Sequence, residues 1–185
     1  STVGPPFLSK PMQFNPLAII LAVVVFPVPL MPVRMNAWAI LSASNAFLRA
    51  HFGEVDDAVF NAIDLLIASP GIAMDSPVLL KAQQVGVEIR GDIDVFVAET
   101  DKPVIGITGS NGESTVTTFV GQLLESCGLR VALGGNLGTG ALDLLEQEVD
   151  IYVLELSSFQ LERAGDLNLA VATVLNLTPN HLDRH

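Results

Sequence analysis

Short apolar runs alternate with stretches of helical spacing from residue 64 to the end of the chain. The apolar runs predict buried strands at residues 65–68, 87–89, 103–108, 130–133, 151–154 and 171–175. Helices are predicted between them, at residues 78–84, 93–99, 114–126 and 141–147. Strands that alternate with helices indicate an α/β fold whose sheet is mostly parallel and covered on both faces.

Polar, glycine-containing loops follow four of these predicted strands. They span residues 108–115 (TGSNGEST), 134–138 (GGNLG), 155–160 (ELSSFQ) and 176–183 (NLTPNHLD). Because the carboxyl ends of parallel strands meet at one edge of a sheet, we expect these loops to lie together. Ligands of open α/β sheets bind at that edge, so the four loops are the candidate site.

The first of these loops has the form of a phosphate-binding turn. A glycine-rich turn between a buried strand and a helix lets backbone N–H groups surround phosphate oxygens, and the helix dipole favours the negative charge. An early helical hydroxyl can also bind the Mg²⁺ that accompanies ATP. The alternative is an ordinary connection in which Asn-Gly supplies a tight turn. The candidate nucleotide-binding residues are Gly109, Ser110, Asn111, Gly112, Glu113, Ser114 and Thr115.

The loop departs twice from the standard phosphate-loop pattern, G-x-x-x-x-G-K-[ST]. Gly106 lies one residue too far upstream, and Glu113 occupies the position of the lysine. At about 4 Å and an effective dielectric constant of about 20, each unit charge interaction amounts to roughly 4 kcal/mol. The loop therefore resembles a nucleotide site in shape but opposes one in charge.

The first 52 residues differ from the remainder of the chain. Residues 17–33 carry no charge, but Pro27, Pro29 and Pro32 interrupt the second half of the run. A membrane span, a signal peptide after Lys10 and a junction produced by a frame error are the alternatives. We expect residues 1–50 to pack poorly and to expose apolar surface.

Composition excludes some partners. Nine Lys and Arg against 20 Asp and Glu give a formal net charge of −11, which disfavours nucleic acid. The one cysteine, Cys127, excludes an intrachain disulfide and is consistent with the reducing cytoplasm. We expect a cytoplasmic monomer that binds small molecules.

The motifs GITGSNGESTVTT (106–118), GGNLG (134–138), YVLELSSFQLE (152–162) and LNLTPNHLDRH (175–185), with their spacing, resemble the Mur ligase family. LELSSFQLE is the specific part, since it is similar to the members that add D-glutamate. LIASPGIA at 66–73 and the run Gly91-Asp92-Ile93 are similar to those members too. The resemblance covers about 120 of the 185 residues.

The resemblance implies an ATP-dependent ligase of peptidoglycan synthesis that adds D-glutamate to UDP-N-acetylmuramoyl-L-alanine. It implies that Glu155 and His181 are catalytic and that Ser114, Glu155 and His181 hold or organise Mg²⁺. It also implies that Gly71, Asn136 and His181 lie near the muramoyl substrate. From the residues alone, Glu155 could cap a helix, His181 could be a turn histidine and Asn136 could adopt a left-handed turn.

The resemblance predicts three segments. Residues 1–52 are an atypical segment, residues 53–100 a remnant of the domain that binds the UDP substrate, and residues 101–185 the first part of the ATP domain. No glycine-rich turn for uridine is found before Asp64 in this sequence, and we expect the chain to lack the D-glutamate-binding domain.

Two other functions remain open. A P-loop kinase or NTPase would carry Asp at the strand end that Glu155 occupies. An inactive truncated fragment or pseudogene product would explain Glu113, and we expect this chain alone to be inactive in ligation.

Overall fold

The structure is a computed structural model that describes residues 21–26, 47–52 and 57–182. Within these residues the chain forms two parallel sheets, each with helices packed against it. The predicted α/β class is confirmed. None of the described helices combines the length and the apolar character that crossing a membrane requires.

The first sheet is formed by four described strands in the order β2-β1-β3-β4. Their bounds are Leu21–Phe26 (β1), Phe47–Phe52 (β2), Leu65–Ala68 (β3) and Glu88–Gly91 (β4). Each neighbouring pair is parallel, and Ala22 of β1 pairs with Leu65 of β3. β3 therefore lies between two strands, and all four of its residues are buried.

Two helices accompany this sheet, α1 (Asp57–Phe60) and α2 (Pro77–Gln84). Proline at the first position of α2 suits a helix start because that N–H has no intrahelical acceptor. Phe60 of α1 and Leu79 of α2 pack with Leu66 in one apolar cluster. The burial of these side chains holds both helices on the sheet.

The second sheet has the described strand order β6-β7-β5-β8, again all parallel. Its strands are Val104–Thr108 (β5), Val131–Gly135 (β6), Ile151–Glu155 (β7) and Val171–Val174 (β8). Its helices are Asp92–Glu99 (α3), Glu113–Ser126 (α4), Ala141–Leu144 (α5) and Ser158–Arg163 (α6). The parallel arrangement brings the four carboxyl-terminal loops to one edge, as predicted.

Helix α3 connects the two sheets. It begins directly after β4, but Ile93 and Phe96 are buried in the core of the second sheet. The Phe96 ring meets the Tyr152 ring edge to face at a centroid distance of 5.0 Å. The end of the first sheet and the start of the second are therefore joined through a packed helix.

Several predicted bounds need correction. The helix predicted at 141–147 ends at Leu144, and β6 continues through Gly134 and Gly135, which were predicted to form a loop. Residues 158–163 form a helix where a polar loop was expected. Residues 1–50 were predicted to pack poorly, but strand β1 and most of β2 lie within them, and both strands belong to the first sheet. The remainder of residues 1–52 lies outside the described residues.

Candidate functional site

A cavity of about 660 Å³ lies where the four loops meet. Every loop contributes to its wall. The lining residues include Gly109, Ser110 and Glu113 after β5, Asn136 after β6, Glu155 and residues 156–159 at the end of β7, and Leu177, Thr178, Asn180 and His181 after β8. The convergence predicted from the sequence is therefore present.

Glycine conformations shape two of these loops. Gly112 precedes α4 with φ +92°, a left-handed conformation that L side chains rarely adopt. Gly135 has φ +91°, and a Cβ there would lie 2.4 Å from the main-chain oxygen of Glu155. The first glycine lets the chain turn into the helix, and the second lets the ends of β6 and β7 approach closely.

Glu155 lies at the centre of a hydrogen-bonded cluster. Its side chain is only 7% exposed. One carboxylate oxygen accepts a 2.6 Å hydrogen bond from the hydroxyl of Ser114, and the other accepts a 2.9 Å bond from the amide nitrogen of Asn136. The main-chain N–H of Asn136 also donates to the main-chain oxygen of Glu155 at 2.8 Å. Three separate loops are thereby brought together at one buried carboxylate.

Ser114 and Glu155 offer oxygen ligands in a suitable arrangement for Mg²⁺. This ion usually takes one or two protein carboxylates together with waters and substrate phosphates. Among the described residues there is no group of three or more His, Cys, Asp or Glu that could hold a metal alone. The Ser114 hydroxyl and the buried Glu155 carboxylate, beside the candidate phosphate loop, therefore suit an Mg²⁺ ion that binds together with a nucleotide.

The phosphate loop is held by Asn176, which follows β8. Its side-chain oxygen accepts hydrogen bonds from the N–H groups of Ser110 (3.1 Å) and Asn111 (3.0 Å), and its amide donates to the Asn111 oxygen at 2.7 Å. The Ser110 hydroxyl and the N–H of Thr178 are 2.9 Å apart. Two loop N–H groups are thus occupied, whereas those in the first turn of α4 have no intrahelical acceptor.

His181 lies at the same cavity but apart from the carboxylate cluster. It is exposed, it has φ +50°, and its ring centroid is 4.8 Å from that of Phe159. Its backbone N–H donates to the Asn180 side chain at 3.0 Å. The imidazole therefore contacts the Phe159 ring at the cavity wall, with the two ring planes tilted by 56°.

Five of the predicted site residues are absent from the cavity lining: Gly71, Asn111, Gly112, Ser114 and Thr115. Thr115 is exposed in the first turn of α4. Gly71 is exposed in the turn after β3, which contacts the second sheet through Arg163. The structure thus brings Gly109, Ser110 and Glu113 to the cavity wall and Ser114 to Glu155. It leaves Gly71, Asn111, Gly112 and Thr115 outside the lining.

The cavity wall is acidic. Glu113, Glu155 and Glu162 line it, and no Lys or Arg is present among the described residues of the wall. Opposite charge is what a polyphosphate requires. The conflict that the sequence predicted at position 113 is therefore retained in the folded chain.

Two residues of the site received no role from the sequence. Asn176 lay within a loop that was recognised, but nothing in its spacing pointed to Ser110 or Asn111. Gln160 was assigned to a loop, although Ser157 and Gln160 have the S-x-x-Q spacing of a capping box. In the structure Ser157 does cap α6, and Gln160 closes the box at 3.0 Å.

Comparisons with known proteins agree with this geometry. Residues 107–185 match the Mur ligase middle domain, and residues 30–91 match the Mur ligase MurD-like N-terminal domain. The second match begins inside the segment that the sequence set apart as 1–52. The bounds predicted for the three segments stay a prediction.

Curated relatives are similar over 135 residues, or 73% of the chain. The UDP-N-acetylmuramoylalanine–D-glutamate ligase of Marinobacter nauticus is 51% identical, that of Escherichia coli K12 is 50% identical, and that of Salmonella choleraesuis is 52% identical. The aligned region makes up 30 to 31% of these relatives. The chain thus corresponds to less than a third of their length.

A solved structure shows the same fold. The UDP-N-acetylmuramate:L-alanyl-gamma-D-glutamyl-meso-diaminopimelate ligase of Neisseria meningitides aligns with a TM-score of 0.53 at 14% identity. The alignment covers 90% of this chain and 63% of that one.

Proposed function

The chain belongs to the Mur ligase family, and we propose that it forms the nucleotide-binding part of a ligase that joins D-glutamate to UDP-N-acetylmuramoyl-L-alanine. The observation that carries the proposal is the contact of Ser114 and Asn136 with the buried carboxylate of Glu155. It unites a phosphate-loop hydroxyl, a metal-binding acid and a substrate-contacting amide at one strand edge. The D-glutamate ligases among the relatives support the choice of amino acid.

The proposed reaction has two steps. A carboxylate oxygen of the alanyl substrate takes the γ-phosphoryl group of ATP, and ADP leaves. The amine of D-glutamate then attacks the carbonyl carbon, expels inorganic phosphate and loses a proton to form the amide. In the first step, catalysis rests on positioning of the phosphates and on electrostatic stabilisation of the transferring group.

Each residue of the site has a part in this proposal. Residues 109–115 bind the ATP phosphates, and Ser114 and Glu155 hold Mg²⁺, which supplies positive charge at the transferring phosphoryl group. Asn136 is fixed by Glu155 and contacts the muramoyl substrate. His181, whose ring contacts that of Phe159, faces the reacting carboxylate from the loop after β8.

The muramoyl-nucleotide part of the substrate is assigned to the first sheet. Gly71, in the turn after β3, is the residue proposed to contact it. The proposed protein is cytoplasmic and monomeric, and its substrates are small molecules. The formal net charge of −11 supports the absence of a nucleic-acid partner.

Glu113 provides the test of the nucleotide site. We predict very weak binding of Mg²⁺–ATP to the unsubstituted chain and a gain of at least about tenfold in Glu113→Lys. The reason is that the substitution changes the charge beside the phosphates from −1 to +1, while the loop and Ser114 stay intact. Isothermal titration calorimetry of both proteins with Mg²⁺–ATP measures the difference.

A matched control separates local from overall charge. Glu125→Lys changes the net charge by the same amount on the same helix, α4, at an exposed position twelve residues further along. It should leave ATP affinity within about twofold, since exposed charges beyond the Debye length of about 8–10 Å are largely screened. Equal ATP affinities for the unsubstituted chain and Glu113→Lys would show that residue 113 does not face the phosphates. The assignment of the nucleotide site would then be overturned.

A second candidate function is a chain that keeps the fold without catalysis. Glu113 in the acidic cavity wall favours it, and so does the occupation of the Ser110 and Asn111 N–H groups by Asn176. Weak binding of Mg²⁺–ATP by the unsubstituted chain is expected under both functions, so the titration bears on this alternative in one direction only. Tight ATP binding by the unsubstituted chain would argue against the non-catalytic alternative.

A further inference from the structure

Helix α6 lies between the cavity and the first sheet. Ser158, Phe159 and Glu162 line the cavity. From the same helix, the side chain of Gln160, only 4% exposed, donates a 2.9 Å hydrogen bond to the carboxylate of Asp92 at the start of α3. One short helix therefore contacts the ligand cavity and the junction between the sheets.

Arg163, the last residue of α6, binds the turn after β3. One guanidinium nitrogen donates to the main-chain oxygen of Ser69 at 2.9 Å, and the other donates to that of Ile72 and, at 3.5 Å, to that of Pro70. These three acceptors surround Gly71, the only other residue of the turn. A planar guanidinium can hold several carbonyl groups at once, which a lysine ammonium does less well.

The stem of Arg163 is confined as well. A Cβ built on Gly91, at the end of β4, would lie 3.1 Å from Cγ and 3.2 Å from Cδ of Arg163. The apolar stem of Arg163 thus packs against the backbone of Gly91, in space that a larger residue would fill. This packing restricts the rotamers of Arg163. Restricting a flexible side chain in advance lowers the entropy cost of the contact.

The surroundings of Arg163 include further contacts with helix α3, which follows β4. The N–H of Gly165 donates to the Asp94 carboxylate at 2.8 Å, two residues beyond Arg163. Burial raises the pKa of Asp92, and the Gln160 hydrogen bond and the charge of Arg163 partly offset that rise. The end of α6 is therefore attached to β4, to α3 and to the turn after β3.

We propose that Arg163 is a positioning residue that holds the Ser69–Ile72 turn, and with it Gly71, in register with the cavity. This rests on the proposed function, in which Gly71 contacts the muramoyl nucleotide and the cavity holds ATP. The substrate must reach from one sheet to the other. Its affinity then depends on the distance that Arg163 sets, although the guanidinium does not react.

The test combines amide exchange with substrate binding. Arg163→Met keeps an apolar stem but removes the guanidinium group. Arg163→Lys keeps the positive charge but removes the planar set of N–H donors. We expect exchange of the Ile72 N–H, which donates to Ser69 at 3.0 Å, to rise by about tenfold or more in Arg163→Met. Affinity for UDP-N-acetylmuramoyl-L-alanine, by calorimetry, should fall by about tenfold, with partial recovery in Arg163→Lys.

Controls separate positioning from general loosening. Arg90→Met removes an arginine from β4 of the first sheet, whose Nε pairs with Glu88 at 2.6 Å, and it should change neither measurement. Amide exchange in β5 should be the same in all variants. Faster exchange in β5 of Arg163→Met would show a general structural role and overturn the proposal.

Two further results would overturn it. One is unchanged exchange at Ile72 in Arg163→Met, and the other is faster exchange there with unchanged substrate affinity. If the unsubstituted chain does not bind the muramoyl nucleotide, the proposed function fails, and Arg163 is then judged on the Ile72 exchange alone.

Discussion

The chemistry of the site depends on how single polar groups are satisfied. Glu155 is buried as a carboxylate, and its two oxygens are met by neutral donors, the Ser114 hydroxyl and the Asn136 amide. A buried carboxylate without hydrogen bonds would cost several kcal/mol. The two hydrogen bonds therefore fix both carboxylate oxygens of Glu155, the proposed Mg²⁺ ligand, in the folded chain.

Asn176 is the residue whose removal should loosen the phosphate loop. In Asn176→Ala the Asn111 N–H loses its 3.0 Å acceptor and the Asn111 oxygen loses its 2.7 Å donor. Leaving such groups without partners costs about 1–3 kcal/mol when they are buried and less when water replaces the partner. We expect amide exchange at Asn111 to rise by about tenfold, measured by NMR.

The Ser110 N–H offers an internal comparison in the same variant. It keeps the main-chain oxygen of Asn176 as an acceptor at 3.2 Å, so its exchange should rise less than that of Asn111. Gln122→Ala, which removes an exposed amide from α4, should change neither rate. Unchanged exchange at Asn111 would refute the role of Asn176 in holding the loop.

At the scale of elements, apolar runs were good predictors because parallel strands are buried on both faces. Residues 65–68, 151–154 and 103–108 are such runs, and each became a strand within one or two residues. Helix α6 was missed because its polar residues suggested a loop. Its contacts with the Ser69–Ile72 turn join positions more than 90 residues apart, which no local pattern reveals.

The close approach of β6 and β7 is a testable element-scale feature. Gly135→Ala forces φ +91° on an alanine and places its Cβ 2.4 Å from the Glu155 main-chain oxygen. Gly138→Ala has φ +64° but nothing within 4 Å of the new Cβ. A left-handed alanine costs about 1–2 kcal/mol by itself, and the steric contact adds about 1–3 kcal/mol in Gly135→Ala.

Urea unfolding followed by circular dichroism measures the difference between the two variants. We expect Gly135→Ala to lose clearly more unfolding free energy than Gly138→Ala. We also expect weaker Mg²⁺–ATP binding when Gly135→Ala is added to Glu113→Lys, because the new Cβ displaces Glu155 and the Asn136 contact with it. Equal losses of stability would mean that β6 and β7 can move apart without cost.

For the whole molecule, the sequence predicted the second sheet far better than the first. The loops after β5, β6, β7 and β8 were placed at one edge because the alternation of strands and helices predicted a parallel sheet, in which the carboxyl ends of the strands meet at one edge. The run at 17–33 was considered for a membrane span because its apolar length resembles one. Its β-branched part, LAVVVF at Leu21–Phe26, instead forms β1.

The two amino-terminal strands give the last prediction. β1 pairs with β2 on one side and with β3 on the other, whereas β2 pairs only with β1 among the described strands. In a parallel ladder successive N–H groups point to opposite sides of a strand. Consecutive amides of Val23, Val24 and Val25 should therefore exchange slowly, while β2 should show slow exchange only at alternate residues.

Hydrogen exchange monitored by NMR on the full chain measures both patterns at once. The amides of β3, whose four residues are buried, supply the internal reference for slow exchange. Exchange in β1 within about tenfold of that in β3 would agree with a central strand. Exchange as fast as that of an unstructured peptide throughout β1 and β2 would contradict the pairing. It would restore the expectation that residues 1–50 lie outside the packed fold.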